Sequence, residues 1–359
     1  MPRDARRLRR TWPQRGVLAF NSLVIVGALT AAGVVWTAND TLSATRRVVI
    51  HNAVGADPTG LAGSSIDDIT GQPTTTVDLS GSVKAENYLL VGSDSRAGSD
   101  PSDPDFAGIG DEAETSGKRS DTIMVLRHDR TTGALALVSL PRDLWVEIAG
   151  TGSSNRINAA YSKGPEVLVQ TVQSALGIPV HHYVEVDFQG FKRLVDAVGG
   201  VEVCFRAASR DLNTGLNIPD PGCYVLDGVQ GLQYARSRYF EELIDGDWRM
   251  DGTADLGRTA RQQAFVETAL RTAIDATIEN PFRASSVIDA ASTSLLIDAS
   301  TDPLRMARQL RPIATNGVQR FNLDVRGTEI DGKSVLELRD AALPVIAHFQ
   351  GGPPPPVAS

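Results

Sequence analysis

Arginine and aspartate recur together at the ends of apolar runs in this 359-residue chain. Three such clusters come early: Gly92-Ser93-Asp94-Ser95-Arg96, Arg119-Ser120-Asp121-Thr122 and Pro141-Arg142-Asp143. Two more follow. Arg236 and Arg238 flank Ser237 and share a face if the segment is extended, while Arg258 and Gln262, four apart, share a face of a helix. A guanidinium presents a planar fork of donors that matches phosphate oxygens two at a time, and a pair of carboxylates suits a hard cation. Converged, these residues describe a diphosphate gripped by arginines, with Asp94 and Asp121 holding Mg2+. Scattered, they are surface ion pairs of little energetic worth, and composition alone does not separate the two.

Convergence needs a scaffold that brings strand ends together. In a layered α/β protein ligands bind at strand ends, which is where these polar clusters fall. Apolar runs at residues 88–91, 122–126, 135–140 and 144–148 predict strands, some buried on both faces, and 183–186 and 201–205 are extended. Residues 166–175 and 188–198 have helical periodicity, and 256–278 predict a long amphipathic helix. The mixture predicts a layered α/β/α domain over 84–350 with a central mixed β-sheet. Residues 37–83, rich in Thr, Ser, Gly, Asp and Pro, predict a stalk or accessory segment, and 351–359 a disordered tail.

The N-terminus places this domain. Residues 1–15 hold six arginines against Asp4 alone, a net +5 that leaves −13 on the remainder of a chain whose total is −8. The 21 residues at 16–36 carry no charge, about enough to span a bilayer core of roughly 30 Å as a helix. Basic residues before the span and few after it put 1–15 in the cytoplasm and everything beyond residue 36 outside the cell membrane. An acidic body argues against nucleic acid as a partner, since phosphate contacts on DNA need a clustered basic surface. The two cysteines, Cys204 and Cys223, would lie in an oxidising compartment, where a disulfide is expected.

Other chemistries lack their parts. Gly327–Ser334 matches the phosphate-loop pattern formally, but Glu329 and Asp331 would stand beside the phosphates, and a hairpin turn is the better reading. His181 and His182 are adjacent and point to opposite faces if extended. No H-E-x-x-H or G-x-S-x-G occurs.

The collinear motifs YLLVGSDSR, KRSDTIMVLRHD, LVSLPRDLWVEI, NRINAAYSKGPEVLVQTV, YVEVDFQGFKRLVDAVGGVEV, DLNTGLNIPDPGCYVLDGVQGLQYARSR and DLGRTARQQAF resemble the LytR-CpsA-Psr family of cell-wall ligases over roughly residues 87–270. The resemblance implies a membrane-anchored enzyme that moves a glycan phosphate from a polyprenyl-pyrophosphate-linked polymer to peptidoglycan. It implies Asp94 and Asp121 as magnesium ligands, and Arg119 and Arg142 as pyrophosphate contacts. Arg236, Arg238, Arg258 and Gln262 would form a second pyrophosphate-binding cluster; Asp94, Arg119, Asp121, Arg142 and Arg238 would be catalytic. The paired cysteines are similar to those of actinobacterial members. Two departures bear on substrate choice: the acidic stretch 97–117, and the 19 residues between Arg238 and Arg258.

The implied reaction is phosphoryl transfer, in which a wall-sugar hydroxyl attacks the glycan-side phosphorus and polyprenyl phosphate leaves. Asp94 and Asp143 are candidate general bases. The competing readings are a pyrophosphatase that uses water as acceptor and a non-catalytic membrane regulator. Topology offers the first test: a reporter fused after Ser359 should be active only outside the cytoplasm, and cytoplasmic activity would remove both the placement and the substrate argument.

Overall fold

The computed structural model describes residues 45–51, 84–95, 120–251, 254–279 and 281–355. The predicted span 16–36, most of 37–83 and the acidic stretch 97–117 lie outside them. Among the described residues no helix is long and apolar enough to cross a membrane.

The chain runs through β1 (Arg46–Val48), β2 (Ala85–Ser93), β3 (Ser120–Asp129), β4 (Leu135–Ser139), and the hairpin β5 (Trp145–Ile148) and β6 (Ser153–Arg156). Helices α1 (Asn158–Tyr161) and α2 (Pro165–Leu176) precede β7 (His182–Val186) and α3 (Phe188–Ala197). Then come β8 (Val201–Phe205), β9 (Ser209–Asp211), β10 (Leu216–Ile218), β11 (Gly222–Leu226), α4 (Gly228–Arg236), β12 (Glu241–Ile244) and β13 (Asp247–Met250). The remainder comprises α5 (Ala254–Glu279), α6 (Pro281–Ser294), β14 (Leu295–Asp298), α7 (Pro303–Gln309), α8 (Ile313–Asn316), β15 (Gln319–Asn322), β16 (Val325–Ile330), β17 (Lys333–Leu338) and α9 (Leu343–Phe349).

Seven strands form one mixed sheet in the order β1-β14-β7-β2-β3-β4-β15. Its two faces follow from the alternation along β2. Leu89 and Val91 enter a core shared with Leu168, Val169 and Val172 of α2 and Phe349 of α9, while Tyr88 and Leu90 enter another with Ile274 of α5 and Leu310 and Ile313 of the α7–α8 segment. Strands covered on both faces read as continuous apolar runs, as these do. The three-layer arrangement agrees with the fold expected from the sequence. One element enters earlier than expected: β1, ahead of residue 84, pairs in parallel with β14 at the sheet edge. Its basic, half-exposed sequence carries no apolar alternation to mark it.

A second lobe was not foreseen. Val195, Val201, Phe205, Leu216, Leu226, Tyr234 and Phe240 close a separate core against Phe265 of α5. Around it stand the antiparallel pair β8–β11 and a four-stranded sheet, β10-β9-β12-β13. Helix α4 starts at a capping box in which Asp227 accepts from the Gln230 amide and Gln230 reaches back. It lies so near α5 that a Cβ on Gly231 would stand 2.8 Å from Phe265 Cζ. Cys204 and Cys223 are direct cross-strand partners on β8 and β11 and form the expected disulfide.

The pseudo-phosphate loop is a hairpin turn. Asp331 and Gly332 both have positive φ, 52° and 69°, between paired Ile330 and Lys333, the two-residue geometry that suits strand twist. His181 and His182 do separate. The Asn87 amide donates to His181 Nδ1 at 3.0 Å, whereas His182 Nδ1 lies 2.7 Å from Thr301 Oγ1.

Asp298, buried at the end of β14, stitches that strand to β7. The Tyr183 amide donates to it at 2.9 Å and the Ser300 amide at 2.9 Å, joined by the Thr301 hydroxyl. Burial alone would raise its pKa, but these bonds and His182 outweigh burial and hold the carboxyl well below its ordinary value. Its contribution is therefore complete above pH 4 and is lost as pH falls through the depressed folded value. Asp298→Asn should lower stability by on the order of 2 kcal/mol at pH 7. Urea titrations should show the gap narrowing on acidification below pH 4; a gap that held constant would assign the effect to shape alone.

Candidate active site

The sheet's register gathers one set of strand ends. β2 runs parallel to β7 and antiparallel to β3, which is antiparallel to β4, and β15 is parallel to β4. The C-terminal ends of β2, β4, β7 and β15 therefore meet the start of β3 along one edge. Asp94 follows β2, Asp121 opens β3, and Arg142 follows β4.

A bulge shapes the centre of this edge. Gly92 pairs with Thr122 and Ser93 with Ser120, so Asp121 is the extra residue in β3. Bulges re-aim a side chain that would otherwise alternate into a face, and they concentrate next to active sites. Only the backbone of Asp121 is described, and Arg119 lies outside the described residues.

Asn158, opening α1, ties two clusters together. Its Oδ1 accepts from the Ser120 amide at 2.9 Å and the Ser120 hydroxyl at 3.0 Å, while its own amide donates to the Arg142 carbonyl at 3.1 Å. Arg142 also meets Asp143 at 3.4 Å, and the other Asp143 oxygen meets Arg156 at 3.4 Å. Asp143 thus braces two guanidiniums, a role that conflicts with its reading as a general base.

Asp94 sits beside a network of phenols. Tyr161 Oη is 2.8 Å from both Ser93 Oγ and Glu185 Oε1, and the Tyr183 hydroxyl donates to Glu185 Oε2 at 2.6 Å. Burial, then the charges of Glu185 and Asp94, push the Tyr161 phenol far above its usual range, although the Ser93 hydroxyl bond opposes the shift. It stays a donor to Glu185 at any physiological pH. Ser93 Oγ in turn accepts from the Ser95 amide at 3.2 Å, which closes a turn around Asp94.

The second cluster reaches the same edge from the other lobe. Arg236 ends α4 and stacks its guanidinium 4.7 Å from the ring of Phe188, the residue that opens α3 just after β7. Gln263 on α5 donates to Ser139 Oγ at 3.1 Å and the Phe321 carbonyl at 2.8 Å, docking the helix on the ends of β4 and β15. Its neighbours Arg258 and Gln262 are buried. Gln262 Nε2 donates to the Ala235 carbonyl at 2.9 Å, so this amide braces the arginine segment, a task the sequence did not reveal. Asn158, Tyr161, Glu185 and Gln263 were also missed, because each acts through a partner distant in sequence.

Comparison with known proteins gives the family. The LytR_cpsA_psr family model matches residues 61–348. The chain belongs to the LytR-CpsA-Psr family. Among curated relatives it is 36% identical over 249 residues to the probable cell wall biosynthesis protein LcpB of Corynebacterium glutamicum, covering 69% of this chain and 56% of that protein. It is 30% identical over 227 residues to the polyisoprenyl-teichoic acid–peptidoglycan teichoic acid transferase TagU of Halalkalibacterium halodurans, covering 63% and 70%. The chain thus spans little more than half of LcpB. Its fold matches a LytR-Csp2A-Psr enzyme from Actinomyces oris with a TM-score of 0.58 at 24% identity, over 74% of this chain and 89% of the other.

In this LytR-CpsA-Psr protein Asn158 is the joint between the loop that holds Arg142 and the start of β3. Asn158→Ala leaves the Ser120 donors without an acceptor, at a cost of roughly 1–3 kcal/mol. Chemical denaturation should register that loss. Stability within 0.3 kcal/mol of the parent, a threshold set at about the usual measurement error, would deny Asn158 this role.

Proposed function

We propose that this protein transfers a glycan phosphate from a polyprenyl-pyrophosphate-linked wall polymer to peptidoglycan, as a membrane-anchored enzyme facing outward through the span 16–36. The observation that carries the reading is convergence. Asp94, Arg142 and the backbone of Asp121 lie at strand ends that share one edge, and Arg236 stacks on Phe188 just after β7 while Gln262 holds the segment before it. The resemblance adds Arg238 and Arg258, and the relative TagU is named a polyisoprenyl-teichoic acid–peptidoglycan teichoic acid transferase.

An acceptor hydroxyl attacks the glycan-side phosphorus, its proton departs, the bridging P–O bond breaks, and polyprenyl phosphate leaves. Arginines disperse charge on the bridging and leaving oxygens, and Arg142, braced by Asp143, is oriented before substrate arrives. Asp94 and Asp121 supply hard oxygen donors on adjacent strand ends. Among the described residues no group of three or more metal-binding side chains gathers. Mg2+ takes one or two carboxylates and completes its shell with phosphate oxygens and water, so two aspartates would be enough to hold it. When bound it would neutralise phosphate charge.

If these residues grip one diphosphate, their losses do not add. Asp94→Ala, Arg238→Ala and the double variant should fall to a similar residual transfer rate, each single change costing roughly 3 kcal/mol of barrier. Arg238→Lys should fail nearly as badly, because an ammonium lacks the planar fork. Folded variants with near-normal transfer would remove the ligase mechanism. Turnover that needs no acceptor sugar would convert the assignment to a pyrophosphatase.

A further inference from the structure

The segment that carries Arg236 and Arg238 is held by groups other than its arginines. At its centre Ser237 is fully buried, with φ −59° and ψ 120°. Every polar group of Ser237 is engaged. Its amide donates to the Tyr234 carbonyl at 3.3 Å, its carbonyl accepts from Arg261 Nη2 at 2.9 Å, and its hydroxyl donates to Asp211 Oδ2 at 2.6 Å. Asp211, the last residue of β9, is itself fully buried. Its Oδ2 also accepts from the Tyr239 amide at 3.0 Å, and its Oδ1 from the amides of Asn213 at 2.8 Å and Thr214 at 3.3 Å.

An ionised carboxylate is costly to bury, and it is kept only where its donors are complete. Here four donors converge, the number that two carboxylate oxygens can satisfy. Two come from its own loop and two from either side of Arg238. The two donors on either side of Arg238 fix the main chain at its root, and Arg236, just before Ser237, stacks on Phe188 just after β7. Arg261 secures the other side: it pairs with Asp251 at 2.8 Å and lies 4.5 Å from the ring of Phe240 while it holds the Ser237 carbonyl.

We infer that Asp211, with Arg261 behind it, is a positioning residue that aims Arg238 at the diphosphate of the substrate. The inference rests on the transferase reading above. A free arginine carries about 2 kcal/mol of rotamer entropy, so a root fixed in advance lowers what must be ordered when phosphate binds. Asp211→Asn is nearly isosteric but cannot serve all four donors. With its oxygen toward Asn213 and Thr214, its NH2 faces Ser237 and Tyr239; the serine hydroxyl can turn to accept, but the Tyr239 amide loses its acceptor.

The test uses the full chain and farnesyl diphosphate with Mg2+ as the probe, with binding followed by calorimetry and transfer assayed in parallel. Asp211→Asn, and the milder Ser237→Ala, should each remain folded with the disulfide intact and weaken probe binding roughly ten-fold. Asp298→Asn, a buried carboxylate in another part of the sheet, should lose stability and keep binding. In an Arg238→Ala background Asp211→Asn should cause no further loss, since its effect runs through Arg238. Two results overturn the inference: multiplicative losses in that background, or binding unchanged in both Asp211→Asn and Ser237→Ala while only the melting temperature falls. Failure of the parent protein to bind the probe is a separate outcome, and it overturns the transferase reading together with this inference.

Discussion

Guanidiniums brought to one edge of a sheet repel one another. At 4 Å a like-charged pair costs about 1 kcal/mol in water and about 4 kcal/mol at the dielectric near a protein surface. Contacts such as Arg142 on Asp143 and Arg236 on Phe188 offset part of that repulsion, and the backbone beneath is fixed by further groups. Much of the polar detail in this structure supplies that fixing. Asn158 holds the start of β3 with its side chain and the Arg142 carbonyl with its main-chain amide, and the Gln262 side chain holds the Ala235 carbonyl. Asp211 and Arg261 grip Ser237 from two sides. Each bond secures main chain or a residue between the arginines.

Helix α5 makes two independently packed lobes act on one edge. Phe265 belongs to the core of the smaller lobe, Ile274, two and a half turns on, to the core under the sheet, and Gln263 bonds the ends of β4 and β15. A helix committed at three points along its length cannot slide relative to either lobe. Helix α4 inherits that position through its close approach at Gly231. The placement of Arg236 beside the strand ends is thus a packing result, reached through Phe265, as well as a matter of its contact with Phe188.

The sheet was legible in the sequence because strands buried on both faces leave continuous apolar runs, and β2, β3, β4 and β7 all appear where those runs lie. The site residues were legible by type and by resemblance, and Asp94, Arg142 and Arg236 lie at or beside the same set of strand ends. The second lobe was not, since β9, β10, β12 and β13 are three or four residues long and too short for a period to show. Helix α4 did leave a signal in Asp227 and Gln230, the ends of a capping box. The bracing residues were illegible for a different reason. Asn158 acts on Ser120 across 38 positions and Asp211 on Ser237 across 26, and no local pattern announces a hydrogen bond over such separations.

The charge balance constrains how this edge recognises an anion. The chain carries a net −8, and away from the edge many arginines lie against carboxylates: Arg206 on Glu242, Arg210 on Glu241, Arg326 on Glu337. Those pairs cancel one another beyond a Debye length, about 8 Å at physiological ionic strength. A net acidic chain offers the proposed phosphorylated substrate no attraction through its net charge, so steering by the whole-molecule field is unavailable as a source of binding. Recognition must then come from short-range, directional contacts made after the diphosphate reaches the edge. That returns the burden to geometry. A site that cannot draw its ligand in from a distance depends on guanidiniums already aimed, and in this fold the aim is set by the neutral amides and buried carboxylate behind them.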